Sequence, residues 1–148
     1  MRILEENNID YEPFFYDASI DPKDIAKSIG LEDKFIFKTI VCVSNEKKYY
    51  VFVLNINDEL NLKKCAKLVK EKNLELIKMT DLPKITGGYV RGGTSPIGMK
   101  KLYETIIDLK VIELDRITIS GGLKGVQVRL NPFDLQKLIN AQIDDITL

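Results

Sequence analysis

The stretch FIFKTIVCVSNEKKYYVFVLN, residues 35–55, decides the fold. Its ends, 35–43 and 48–55, are rich in β-branched and aromatic residues, which suit a pleated, buried surface. SNEK between them is short and polar. The pair reads as two antiparallel strands joined by a turn. One residue resists this pattern. Lys38 puts an ammonium group into an otherwise apolar strand, which is costly unless the charge finds a partner or an opening. Strand alternation sends Lys38 and Ile40 to one face and Thr39 to the other. Lys38 is therefore either a snorkelling edge lysine or a fixed cation in a cleft.

Working outward, the signals alternate between helix and strand without strict order. Residues 2–8 read as a short helix and YEPFFY (11–16) as extended chain. In DPKDIAKSIG, Asp21 is an N-cap, Pro22 opens the helix and Gly30 stops it. Residues 61–73 carry apolar positions at helical spacing: Leu62, Cys65, Ala66, Leu68 and Val69. LELIK (74–78) reads as a strand and TDLPKITG (80–87) as a helix ended by glycine. TIIDLKVIEL holds a strand. RITISG (116–121) and GVQVRL (125–130) are strands around a glycine turn. NPFDLQKLINA (131–141) repeats the Asn-cap, Pro, Asp pattern of a helix start. No linker, repeat or low-complexity run interrupts the 148 residues. The expectation is one domain, 1–148, of mixed α/β (α+β) class, with a mixed sheet flanked by helices.

Composition narrows the chemistry. The chain has no histidine, which excludes Ser-His-Asp and Cys-His catalysis and removes the usual general base near neutral pH. Two cysteines without histidine are too few for a four-ligand zinc site, so no metal is expected. Cys42 and Cys65 read as small buried hydrophobes. Net charge is zero but unevenly spread: residues 1–33 carry −6, residues 34–101 carry +8 and residues 102–148 carry −2. The middle block offers a basic face to a polyanion, or simply solvated lysine-rich helices. No apolar run approaches the roughly 20 residues of a membrane helix. The N-terminus is acidic where an export signal is apolar, so the cytoplasm is the expected compartment.

RGGTSPIGMKK (91–101) has more constraints than a turn needs. It misses a phosphate-binding P-loop because its lysine comes one place late with no Ser or Thr after it. It misses a nucleophile elbow because Ile97, not glycine, stands two places after Ser95. Gly92 and Gly93 allow unusual backbone angles and close approach to the main chain. Pro96 fixes its own φ and biases Ser95 toward extended angles. Such a loop could hold a carbonyl oxygen or developing oxyanion with its N–H groups. It could equally be a tight structural turn. SGGLKG (120–125) is a second glycine loop. By itself it is a hairpin turn; with the first it could form two lips of one pocket.

Together, FKT (37–39), LNLKK (60–64), TGGYVRGGTSPIGMKK (86–101), TIID (105–108) and SGGLKG (120–125) resemble the YbaK family in order and spacing. That family comprises free-standing aminoacyl-tRNA deacylases related to the editing domain of bacterial prolyl-tRNA synthetases. The resemblance spans residues 3–141. It implies a compact mixed α/β fold, partly barrel-like, that needs no cofactor. It implies hydrolysis of a mischarged amino acid, most often cysteine, from tRNA(Pro), with the substrate's own thiol attacking its carbonyl. Alternatives are a deacylase for another small amino acid such as alanine, or a tRNA- or synthetase-binding module without activity. Lys38 matches the family's key lysine, with Thr39 beside it. Gly92 and Gly93 take the carbonyl or oxyanion contact. Tyr16, Ser95, Pro96 and Ser120 shape the amino-acid pocket. Gln127 stands where the cysteine-specific members have an acidic residue, and the segment between Tyr16 and Lys38 is shorter than theirs. The implied partners are the tRNA acceptor end and prolyl-tRNA synthetase, with the protein a monomer or weak dimer.

Overall fold

The computed structural model describes residues 1–148. Strand β2 (Phe37–Ser44) and strand β3 (Tyr49–Asn55) form the expected antiparallel hairpin, with Lys38 opposite Leu54 and Thr39 opposite Val53. They sit inside a five-stranded mixed sheet. Strand β4 (Leu74–Leu76) pairs antiparallel with the far end of β2. Strand β5 (Glu104–Asp108) runs parallel to β3, and β8 (Gln142–Asp144) runs parallel to β5. The order is β4-β2-β3-β5-β8. Strands β1 (Tyr11–Phe15), β7 (Val126–Leu130) and β6 (Ile117–Ser120) make a separate antiparallel sheet. The two sheets touch through a parallel bridge between Ile36 and Thr118. Each sheet keeps two edge strands, and neither closes on itself.

The hairpin is apolar at almost every position because the sheet is covered on both faces. On one face Phe37, Val53 and Ile107 pack against Ile117, Ile119, Val128 and Leu130 of the smaller sheet. Helix α1 (Arg2–Glu6) and helix α5 (Pro132–Leu138) close that core with Leu4 and Leu135. On the other face Cys42, Phe52, Leu54 and Ile106 meet Cys65, Ala66 and Val69 around helix α3 (Leu62–Leu68). Phe52 is fully buried; its truncation to alanine would cost about 3–5 kcal/mol. Both cysteines are free and buried. Burial pushes each thiol up to about 12.

Both predicted caps, at Asp21 and Asn131, form as hydrogen bonds, and the structure adds a third at Asn61. Asp21, Asn61 and Asn131 accept from the amides of Lys23, Lys64 and Phe133. The helices are shorter than the sequence suggests. The one after Asp21 is a 3-10 turn, Pro22–Asp24, followed by α2 (Ile25–Ser28). Helix α4 (Leu82–Thr86) ends at Gly87, which has φ +93°. No helix is long and apolar enough to cross a membrane.

Candidate functional site

The site follows from how the outer edge of β2 is shared. Near its start, Ile36 bridges to β6. Near its end, β4 takes over, and the Ile77 amide donates to the Val41 carbonyl at 3.2 Å. Between them the two neighbours diverge. A cleft of about 450 Å³ occupies the gap, floored by residues 37–41. Ser120 and Gln127 line one wall, with Pro22 and Ile25 beside them. Leu76, Ile77, Met79 and Leu82 form an apolar wall. Arg91, Gly92 and Thr94 form the lip.

The structure therefore gathers Lys38, Thr39, Gly92, Ser120 and Gln127 around one space. Lys38 is half-buried, and its Nζ lies 3.4 Å from the Ile56 carbonyl. Its pKa is held below the ordinary lysine value by burial, against the opposing pull of Asp58 and Glu59. Its ammonium forms no salt bridge. Gln127 is 5% exposed and Ser120 8% exposed. The Gln127 Oε1 and Thr39 Oγ1 are buried without a hydrogen-bond partner. Unpaired buried polar atoms are costly and uncommon, and both belong to residues that line the cleft.

The glycine loops pack directly on one another. A Cβ at Gly93 would lie 3.0 Å from the Lys124 amide nitrogen and 3.2 Å from the Leu123 carbonyl carbon. Gly93 is buried and does not itself line the cleft; Gly92 does, with φ +83°. Tyr89 joins the loops, a role that sequence reading did not assign. Its hydroxyl donates to the Ile97 carbonyl, and its ring lies against Gly122. Burial raises its pKa.

Three expected pocket residues lie elsewhere. Ser95 is buried behind the loop, where its Oγ accepts from the Ile97 amide at 3.1 Å, and it borders a small separate cavity with Tyr89 and Leu4. Pro96 faces another cavity, beside Leu138 and Ile139. Tyr16 follows β1 and donates its amide to the Gly125 carbonyl at 2.9 Å; it is not among the cleft-lining residues. Ser95 and Pro96 share one cause: the first loop presents its glycine edge outward and its Ser-Pro edge inward.

Residues 18–138 match the model of the aminoacyl-tRNA editing domain. The chain belongs to the aminoacyl-tRNA editing domain family. The YbaK-type resemblance of its motifs thus holds across most of the chain. A protein of Enterococcus faecalis, EbsC, assigned as a Cys-tRNA(Pro)/Cys-tRNA(Cys) deacylase, is 38% identical over 99% of this chain and 91% of its own length. A solved structure assigned as a trans-editing enzyme for prolyl-tRNA synthetase superposes with TM-score 0.86 at 23% identity, covering 99% of this chain and 93% of that one. A second, described as a hypothetical protein, reaches 0.89 at 17% identity, covering 99% and 97%. These two likenesses establish the fold.

Proposed function

We propose that this editing-family chain, acting as one domain, hydrolyses the ester of cysteinyl-tRNA(Pro) in trans. The observation that carries the reading is the cleft itself: a fixed cation, a glycine main-chain lip and unpartnered polar atoms around a space with no histidine. The 38% identity to a relative assigned as a Cys-tRNA deacylase supports the choice of cysteine.

The substrate supplies what the protein lacks. The cysteinyl sulfur bonds to its own carbonyl carbon and the ester C–O bond to ribose breaks. The thiol proton passes to the ribose oxygen, and water opens the resulting cyclic thioester. The protein then needs to orient the ester and stabilise the developing oxyanion. Orientation contributes on the order of 7–11 kcal/mol in favourable intramolecular cases. Well-placed donors add about 3–4 kcal/mol each. We assign the oxyanion to the Gly92 main chain. Lys38 leaves β2 on the face opposite Thr39 and leans toward the Ile56 carbonyl. That placement suits the terminal phosphate or ribose better than the ester carbonyl. Ser120 and Gln127 form the amino-acid wall. Ser95, Pro96 and Tyr16 act from behind, by fixing the loops.

With net charge zero, grip on tRNA is modest and salt-sensitive. We therefore assign choice of tRNA to prolyl-tRNA synthetase as partner, with this protein a cytoplasmic monomer or weak dimer. The test is to incubate it with Cys-, Ala- and Pro-charged tRNA(Pro) and follow ester loss. Loss of cysteine alone supports the reading. Loss of alanine alone assigns a different substrate. Binding without loss makes the protein a recognition module.

A further inference from the structure

The gap in the edge of β2 is more than an absence of neighbours. In the β2–β3 ladder, the flanking bonds Ile56 N to Ile36 O and Ser44 N to Lys48 O show that even-numbered residues of β2 point their amides toward β3. Alternation then turns the odd-numbered ones outward. The Val41 carbonyl confirms this, since it accepts from Ile77 on the β4 side. Thr39 is the odd residue left between the two neighbours. It pairs only with Val53, and neither β6 nor β4 reaches it. Its N–H and C=O point away from β3, toward the edge where the cleft opens.

A second observation points to a ligand at the same place. Gln127 stands opposite Ser120 in the smaller sheet, with Oε1 buried and unpartnered at the cleft wall. Thr39 and Gln127 both line the cavity and each carries an uncharged acceptor, the Thr39 carbonyl and the Gln127 Oε1, and the cleft-lining residues include no carboxylate. A pair of neutral acceptors suits an amino group that is only partly protonated near neutral pH. It can bind either form, whereas a buried carboxylate would require the charged one.

We propose that the Thr39 carbonyl and Gln127 Oε1 together seat the α-amino group of the aminoacyl ester, with the Thr39 N–H available to its carbonyl side. The substrate's amino acid then docks on the open sheet edge in the manner of a short added strand. This rests on the deacylase reading above and deepens it. Glutamine in place of an acidic residue is a working recognition group under this proposal rather than a lost one.

The test compares two substrates on the wild-type protein: cysteinyl-tRNA(Pro) and 3-mercaptopropionyl-tRNA(Pro), which keeps the thiol and lacks the amino group. Each enzymatic rate is divided by the spontaneous hydrolysis rate of the same ester, which removes the intrinsic effect of the amino group on reactivity. The expected penalty for losing the amino group is about ten- to a hundredfold in normalised kcat/KM. In Gln127→Met, of similar length, the penalty shrinks severalfold because one acceptor is gone. Equal normalised rates on the wild type overturn this inference and leave the deacylase reading standing. So does an undiminished penalty in a folded Gln127→Met. Failure of the wild type to hydrolyse either ester overturns both.

Discussion

The two Gly-Gly loops look alike in sequence and use their glycines in opposite order. In each, a serine Oγ accepts the amide two residues on: Ser95 from Ile97, and Ser120 from Gly122. In each pair one glycine is required for its backbone angle and the other for closeness. Gly92 has φ +83° and faces the cleft, while its neighbour Gly93 lies against the backbone of Leu123 and Lys124. In the second loop the closely packed residue comes first: a Cβ at Gly121 would lie 2.7 Å from Val126 Cγ1. Gly122 then takes φ +98° against the Tyr89 ring. The first loop presents its special angle to the cleft, and the second presents its own to the protein. One is a lip and the other is the buttress behind it.

The sharpest way to break this comparison is Gly93→Ala. Its new methyl meets backbone on the facing loop, which cannot swing aside like a side chain. We expect the loops to separate, normalised kcat/KM to fall about a hundredfold and the melting temperature to drop. A variant with wild-type activity and melting would remove the apposition of the loops from the account. The next largest contrast is between Gly92→Ala and Gly122→Ala. Both force a left-handed angle, at a cost of about 1–2 kcal/mol each. Gly92→Ala should lower kcat/KM at least tenfold beyond what its stability loss explains. Gly122→Ala should lower melting at least as much, because its methyl also crowds Tyr89 at 3.2 Å, yet keep kcat/KM within about threefold. Calorimetry and single-turnover kinetics on the pair decide whether lip and buttress are distinct.

A smaller effect isolates Lys38 from the loops. Burial holds its pKa below the usual value of 10.5. Lysine carries its charge only below its pKa, so activity should decline as pH rises through that lowered value, earlier than for an exposed lysine. Rates corrected for spontaneous ester loss should show this alkaline limb, and Lys38→Arg should shift it upward. The smallest expected effect is none at all. Cys42 and Cys65 are buried, and each thiol is raised to about 12. A thiol-alkylating reagent should label neither in the folded protein and leave activity unchanged, because the reacting thiol belongs to the substrate.

The legible parts of this molecule were those written locally. The 35–55 hairpin shows in its β-branched run, and the caps at Asp21 and Asn131 show in their spacing with Pro and Asp. Strand β8 was not legible: QID is three residues long and becomes a strand only beside β5. The cleft was half legible. Lys38 stood out as a charge in an apolar strand, and Gly92 as a constraint without local need. Arg91, Met79 and the wall at Leu76 and Leu82 gave no signal, because divergence of β4 from β6 brings them to the cleft. The unpaired edge at Thr39 was equally hidden, since it depends on which strands fail to reach it. Ser95 and Pro96 carried a strong signal that was about holding the loop and not about touching the cleft.

We propose the cleft at Lys38 as the place where an aminoacyl ester is broken. The most direct test is single-turnover hydrolysis of cysteinyl-tRNA(Pro) by the wild type and by Lys38→Ala, with a melting curve for each. We expect hydrolysis by the wild type and a loss of about ten- to a hundredfold in Lys38→Ala at nearly unchanged melting temperature. A folded Lys38→Ala that hydrolyses the ester at the wild-type rate would contradict it.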